Sequence, residues 1–218
     1  MLSWLGKLFG SKAVKPTTMA VLPPEIKKIP LKSDQYYPVK QEKKYIFCHH
    51  TAGGSAASSI AHWAADPQHI ATAYIIDRDG TIYETYPPEY WAYHLGVKGL
   101  PNTLEKQSIG IEICSYGQLK NDKTYTGKTI PKEKQVKVDW RGYEYYEAYT
   151  PEQIASLKLL LPYLIDRFKI QLQPDRKNFY EYQDPKTLPP GIYSHTTVRK
   201  DKVDIFPQKE IVELVQNL

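Results

Sequence analysis

Cysteine is scarce in this chain: Cys48 and Cys114 are the only two in 218 residues. Two thiols exclude a disulfide framework and any Cys-rich zinc knuckle. Long apolar runs are missing as well, and none approaches the 18 or more residues of a membrane-spanning helix. Excess charge of one sign is absent from most of the chain. Residues 1–44 hold nine lysines against Glu25, Asp34 and Glu42, a local +6, so the net +5 leaves −1 on residues 45–218. The lysines lie in proline-broken sequence without an aromatic or motif framework, which argues against a nucleic-acid binder. Hydrophobic residues at 41% and charged ones at 24% are enough for a buried core. The length fits one or two domains.

Residues 1–44 read as a basic, Pro-rich tail and linker, because Pro16, Pro23, Pro24, Pro30 and Pro38 interrupt any helix. Within it, Met1–Gly10 is too short and weakly charged for a secretory signal, so synthesis in the cytoplasm is expected. Leu2, Leu5, Leu8 and Phe9 would share one helical face. That pattern suits either a membrane-surface or partner-docking helix or a loosely ordered terminus.

From Tyr45 the texture changes. Tyr45–His50 (YIFCHH) is a buried-strand pattern ended by the Thr51–Gly54 break. Residues 73–83 read as two strands joined at Arg78-Asp79-Gly80, where Asp-Gly favours a hairpin. Ser108–Ser115 alternates around Ile109, Ile111 and Ile113 as a further strand. Residues 117–149 are rich in Lys and Tyr and form an insertion with a hairpin near Arg141-Gly142. Thr150, Pro151 and Gln153 then open a helix as N-cap, N1 and capping-box partner. Strands and helices intermixed in this way predict a single α/β domain over residues 45–218.

Six histidines occur, at 49, 50, 62, 69, 94 and 195, and His49, His94 and His195 stand at predicted strand ends. Asp201 and Asp204 follow His195 in a polar loop. Two neutral imidazoles and one carboxylate suit a catalytic zinc site with a position left for water. Spacing alone does not separate this from packed or surface histidines. His50, next to His49 in the same strand, should point to the opposite sheet face and pack there.

The order of motifs is more specific. His49-His50-Thr51-Ala52-Gly53 is followed by the 74–83 strand pair and by Trp91-Ala92-Tyr93-His94-Leu95-Gly96. Ser108-Ile109-Gly110-Ile111-Glu112 comes next, then Ser194-His195 with Lys202-Val203-Asp204. This succession resembles the type 2 N-acetylmuramoyl-L-alanine amidases, the superfamily of peptidoglycan recognition proteins and phage lysozymes, over about residues 45–215 without the 117–149 insertion.

The resemblance implies a central mixed β-sheet flanked by helices, with a zinc site in a surface groove. It implies His49, His195 and Asp204 as ligands to Zn2+. Asp201 is the fallback third ligand, because Asp204-Ile205-Phe206-Pro207 departs from the family's usual loop ending. It implies Glu112 as general base, Lys202 as a positive charge near the developing oxyanion, and His94 as a substrate-binding residue. Some lineages of the superfamily use a Tyr near position 72, where this chain has Thr72, which implies the Glu/Lys version of the mechanism. Trp91 and Tyr93 are expected as groove neighbours among the 18 tyrosines and four tryptophans, and Cys48 and Cys114 as two reduced, buried thiols.

The expected reaction is cleavage of the amide between N-acetylmuramic acid and L-alanine, in cell-wall lysis by an endolysin released from the cytoplasm. Its siblings are a cytoplasmic muropeptide-recycling amidase and a non-catalytic peptidoglycan-binding protein. The expected partners are peptidoglycan or muropeptides and, through the basic tail, an anionic membrane or wall polymer.

Overall fold

The computed structural model describes residues 21–98, 101–174 and 179–218. The helical face read in Met1–Gly10 lies outside them. Nine strands were found among the described residues. Six of them, β1 (Lys27–Lys28), β2 (Tyr45–His50), β3 (Tyr74–Ile76), β4 (Ile82–Glu84), β5 (Ser108–Ile113) and β9 (Gly191–Ser194), form one sheet in the order β1-β4-β3-β5-β2-β9. Only the β3–β4 hairpin is antiparallel, so the sheet is mixed, as expected.

Alternation in the two central strands divides the molecule. Ile46 and Cys48 of β2 and Ile109, Ile111 and Ile113 of β5 join the main core, with Ile154, Leu157, Leu161 and Leu164 of α3 (Pro151–Phe168) and Ile211 and Leu214 of α5 (Lys209–Gln216). The alternate residue Phe47 turns to the other face, into a smaller cluster with Leu95, Leu104, Leu188, Tyr193 and Val198. His49 shares the side of Phe47, since successive strand residues point to opposite faces. The site therefore stands on the sheet face opposite α3.

The predicted α3 start is present as read. Gln153 N–H donates to Thr150 Oγ1 (3.1 Å), and Thr150 N–H donates to Gln153 Oε1 (3.0 Å). Gln153 is buried and also donates to the Cys114 carbonyl (2.8 Å), which ties the cap to the end of β5. Cys48 and Cys114 are free and buried.

Residues 117–149 fold as a separate antiparallel sheet, β6 (Gln118–Leu119), β7 (Gln135–Trp140) and β8 (Tyr143–Glu147), in the order β6-β8-β7. Its predicted turn is built on Arg141 (φ 48°) and Gly142 (φ 84°), the paired left-handed residues of a tight hairpin.

The linker reading of residues 11–44 is corrected from about residue 27 onward. β1 pairs parallel with β4, and the strand is extended by Ile29 N–H to Glu84 O (2.9 Å) and Leu31 N–H to Thr85 O (2.8 Å). Tyr37 N–H donates to the Trp91 carbonyl (2.8 Å), and the two rings stack with centroids 4.0 Å apart. Lys43 is buried, and its Nζ donates to the carbonyls of Tyr90 (2.7 Å), Lys106 (2.7 Å) and Ser108 (2.9 Å). An edge strand tolerates the lysines and prolines that made this stretch look unstructured.

Candidate metal and catalytic site

β5, β2 and β9 are parallel neighbours, and three of the expected residues stand at their carboxyl ends. His49 is the penultimate residue of β2, Glu112 is its register partner on β5, and His195 follows β9 directly. Parallel α/β sheets present side chains to ligands at this end. Asp204 comes from the loop after α4 (His195–Val198).

Three atoms converge here. His49 Nδ1 and His195 Nδ1 are 3.1 Å apart, and Asp204 Oδ2 lies 3.3 Å from the first and 3.0 Å from the second. All three residues are buried. A tetrahedral zinc site with bonds of about 2.0–2.1 Å has ligand–ligand edges of roughly 3.3 Å.

The surrounding hydrogen bonds assign the protons. His195 Nε2 faces the Leu95 carbonyl at 2.9 Å, so Nε2 carries a hydrogen, and Nδ1 faces Asp204 Oδ2 at 3.0 Å. The Ser108 hydroxyl donates to the Glu105 carbonyl (3.0 Å) and so accepts from His94 Nε2 (2.7 Å). His94 Nδ1 is then the acceptor for His49 Nε2–H (2.9 Å). That leaves His49 Nδ1 with a lone pair. Burial, with the like charge of His195, lowers His49 to about 4, so it is neutral at pH 7. Two ring nitrogens and a carboxylate oxygen thus face one point. A metal cation at that point would meet all three atoms, and outer partners of this kind fix the tautomer of metal-binding histidines.

Asp204 keeps its charge for the same reason. Burial pushes its carboxyl up, but hydrogen bonds and charge attraction from His195 and His49 outweigh burial and hold it well below the ordinary range. Asp201, the fallback ligand, is exposed and paired bidentately with Arg199, through Nε to Oδ1 (2.8 Å) and Nη2 to Oδ2 (2.6 Å). It is not part of the cluster.

Glu112 Oε2 is shut off from solvent and has no hydrogen-bond partner among the described residues. Burial raises its carboxyl well above the usual range, Asp204 adds to the rise, and Lys202 opposes it. A half-buried acid with one inaccessible, unpartnered oxygen beside a cluster of ligand atoms marks a reacting group more than a structural one. Lys202 makes no ion pair among the described residues, and its charge acts on both Glu112 and His49.

His94 was expected to bind substrate, but its side chain is only 3% exposed and lies behind His49 in the hydrogen-bonded chain. Gly110 makes room for it: a Cβ there would come within 3.2 Å of the His94 ring and 2.7 Å of Thr72 Cγ2. Trp91 is likewise buried rather than lining a groove, between Tyr37 and the Lys106 ammonium. Tyr93 meets Tyr37 and Trp91 edge-on, and its hydroxyl accepts from Asn102 Nδ2 (2.9 Å). The N-terminal segment, unseen as a packing partner in the sequence, takes these aromatics. His50 is buried on the opposite face beside Phe206 and Tyr149, as expected.

Glu105 was missed by the sequence reading. Its buried carboxylate accepts the backbone N–H groups of His94 (2.9 Å), Leu95 (3.1 Å) and Gly96 (2.9 Å), and so shapes the turn that carries His94 and the carbonyl facing His195. Nothing in its local sequence signals this.

A family model described as N-acetylmuramoyl-L-alanine amidase matches residues 39–208. Among solved structures, the chain is similar to the Staphylococcus aureus hydrolase AmiA in complex with its ligand, at 15% identity and TM-score 0.56, over 89% of this chain and 83% of that one. It is similar to PlyL at 15% identity and TM-score 0.52, over 89% and 96% of the two chains. The catalytic domain of XlyA gives 15% identity and TM-score 0.52, over 89% and 98%. At these identities the likeness is one of fold. Among curated protein sequences, none matches this chain.

Proposed function

Because the chain belongs to the N-acetylmuramoyl-L-alanine amidase family, we propose that it is a zinc-dependent enzyme that cuts the muramoyl–L-alanine amide of peptidoglycan in cell-wall lysis. The observation that supports the zinc reading is the convergence of His49 Nδ1, His195 Nδ1 and Asp204 Oδ2, three atoms able to bind a metal, at 3.0–3.3 Å. A zinc ion held there lowers the pKa of water to about 7 and polarises a carbonyl.

The chain's own groups supply the rest. Glu112 takes a proton from the attacking water and returns it to the amine nitrogen of L-alanine as the C–N bond breaks. Lys202 places positive charge beside the carbonyl oxygen as it becomes an oxyanion. His94 acts through His49, holding that ring in the tautomer that leaves Nδ1 free. Trp91 and Tyr93 support the turn before His94 and do not touch the ligand cluster.

The lytic role draws support from the tail. Residues 1–20 carry Lys7, Lys12 and Lys15 and no acidic residue, a charge suited to an anionic membrane or wall polymer. The enzyme then acts on the wall after release from the cytoplasm.

Digestion of intact peptidoglycan and of soluble muropeptides by the zinc-loaded protein tests both levels. Mass spectrometry is expected to find stem peptides with a free L-alanine amine and undamaged glycan. Glycan cleavage, or no release of peptide, would overturn the activity. Removing residues 1–20 is expected to weaken attachment to whole walls at low salt while sparing muropeptide turnover. A full-length enzyme that turns over only soluble fragments would replace lysis with recycling.

A further inference from the structure

The tip of the β7–β8 hairpin reaches the loop between His195 and Asp204. Arg141 Nη1 donates to the carbonyls of Lys200 (2.7 Å) and Lys202 (2.9 Å). The guanidinium lies over the Trp140 ring, 5.1 Å from its centroid, and Trp140 in turn meets Tyr180 edge-on. Arg141 takes a left-handed φ of 48° to do this, a conformation that a residue with a Cβ adopts at a cost. On the far side of Asp204, Phe206 is fully buried and stacked between Tyr146 and Tyr149, with centroids 4.4 and 4.5 Å away. The segment that carries Lys202 and Asp204 is therefore gripped at both ends by residues 140–149.

We propose that Arg141 is a positioning residue for Lys202: by holding the carbonyls of Lys200 and Lys202 it fixes the backbone from which the Lys202 ammonium projects. The inference rests on the amidase reading above. Two hydrogen bonds from one charged nitrogen are stronger and more directional than neutral ones. They are needed because the loop is otherwise tied mainly by Arg199, which bonds to Asp201 and to the carbonyl of Gly96 (2.6 Å). Among the described residues, Lys202 itself has no ion pair to hold it. A loose backbone there leaves the positive charge present but misplaced, and misplacement of about 1 Å can cost about 100-fold in rate. The insertion thus completes the active site from outside the ligand set.

Steady-state hydrolysis of a soluble muropeptide by the full chain tests this, with metal content and melting temperature measured in parallel. Arg141→Ala is expected to lower kcat about 10- to 100-fold, to change KM less than threefold and to retain one zinc per chain. Arg141→Lys, which keeps a charged donor, is expected to recover most of that loss. The deciding readout is the cycle with Lys202→Ala: the double variant should be no slower than Lys202→Ala alone, since Arg141 acts through that side chain. Additive losses, or an unchanged kcat in Arg141→Ala, would overturn the proposal. If Arg141→Ala does not fold, Arg141→Gln enters the same cycle, with coupling and additivity read the same way. A wild-type chain without amidase activity would instead overturn the reading beneath it.

Discussion

Replacing Glu112 by glutamine is expected to lower kcat for muropeptide hydrolysis about 10²- to 10⁴-fold, the usual contribution of a general base. The substitution keeps the shape of the side chain and removes only its capacity to take a proton. KM and zinc content should stay near wild type, because Glu112 is not among the three converging ligand atoms. Stability should hold or rise. An acid whose Oε2 has no partner, in surroundings that raise its pKa by burial, destabilises the fold that contains it, and an amide carries no charge to desolvate. Steady-state kinetics with thermal melts check both halves. An enzyme that keeps more than a tenth of its kcat does not use Glu112 as its base.

Asp204→Ala is expected to abolish activity and to weaken zinc binding by more than about 100-fold, beyond the 10- to 100-fold typical of losing an outer partner of a ligand. It removes the negative member of the set and leaves two buried imidazoles facing each other. Asp201→Ala is the matched contrast. It breaks an exposed pair with Arg199, of a kind that contributes about 0–1 kcal/mol, and should leave metal content and turnover near wild type. Zinc analysis after dialysis separates the two aspartates. If Asp201→Ala loses the metal and Asp204→Ala keeps it, the ligand assignment is wrong.

Strand-end positions were legible in the sequence, while the roles of His49, His195, Asp204 and Glu112 came from the order of motifs and the amidase family it resembles. His49, Glu112 and His195 each close a short run of β-branched or aromatic residues, and a parallel sheet brings such ends together. The Thr150–Gln153 cap and the Arg141-Gly142 turn were equally legible, since local backbone chemistry decides both. What escaped was set by distant contacts. Lys43 looked like one more tail lysine, yet its ammonium reaches carbonyls 47, 63 and 65 residues away. Trp91 looked like a groove aromatic because its motif is close to His94. Its environment is decided by Tyr37, which sits in proline-broken sequence without a period. The role of His94 depended on Ser108 and Glu105, which show in a hydrogen-bonded chain and not in a spacing.

The placement of His49 and His195 has a thermodynamic consequence. They lie 146 residues apart in sequence and 3.1 Å apart at Nδ1. An ion bound to both is a cross-link that closes a loop of that length, on adjoining strands of one sheet. Closing a loop of about 100 residues with a covalent bridge removes enough unfolded-chain entropy to stabilise a protein by about 4.7 kcal/mol in the chain-entropy model, and a metal clip draws on the same entropy. In a chain with two buried, unpaired thiols, a metal held there would take the place of a disulfide as the long-range staple. Its loss would loosen β9 from β2 as well as halt the chemistry.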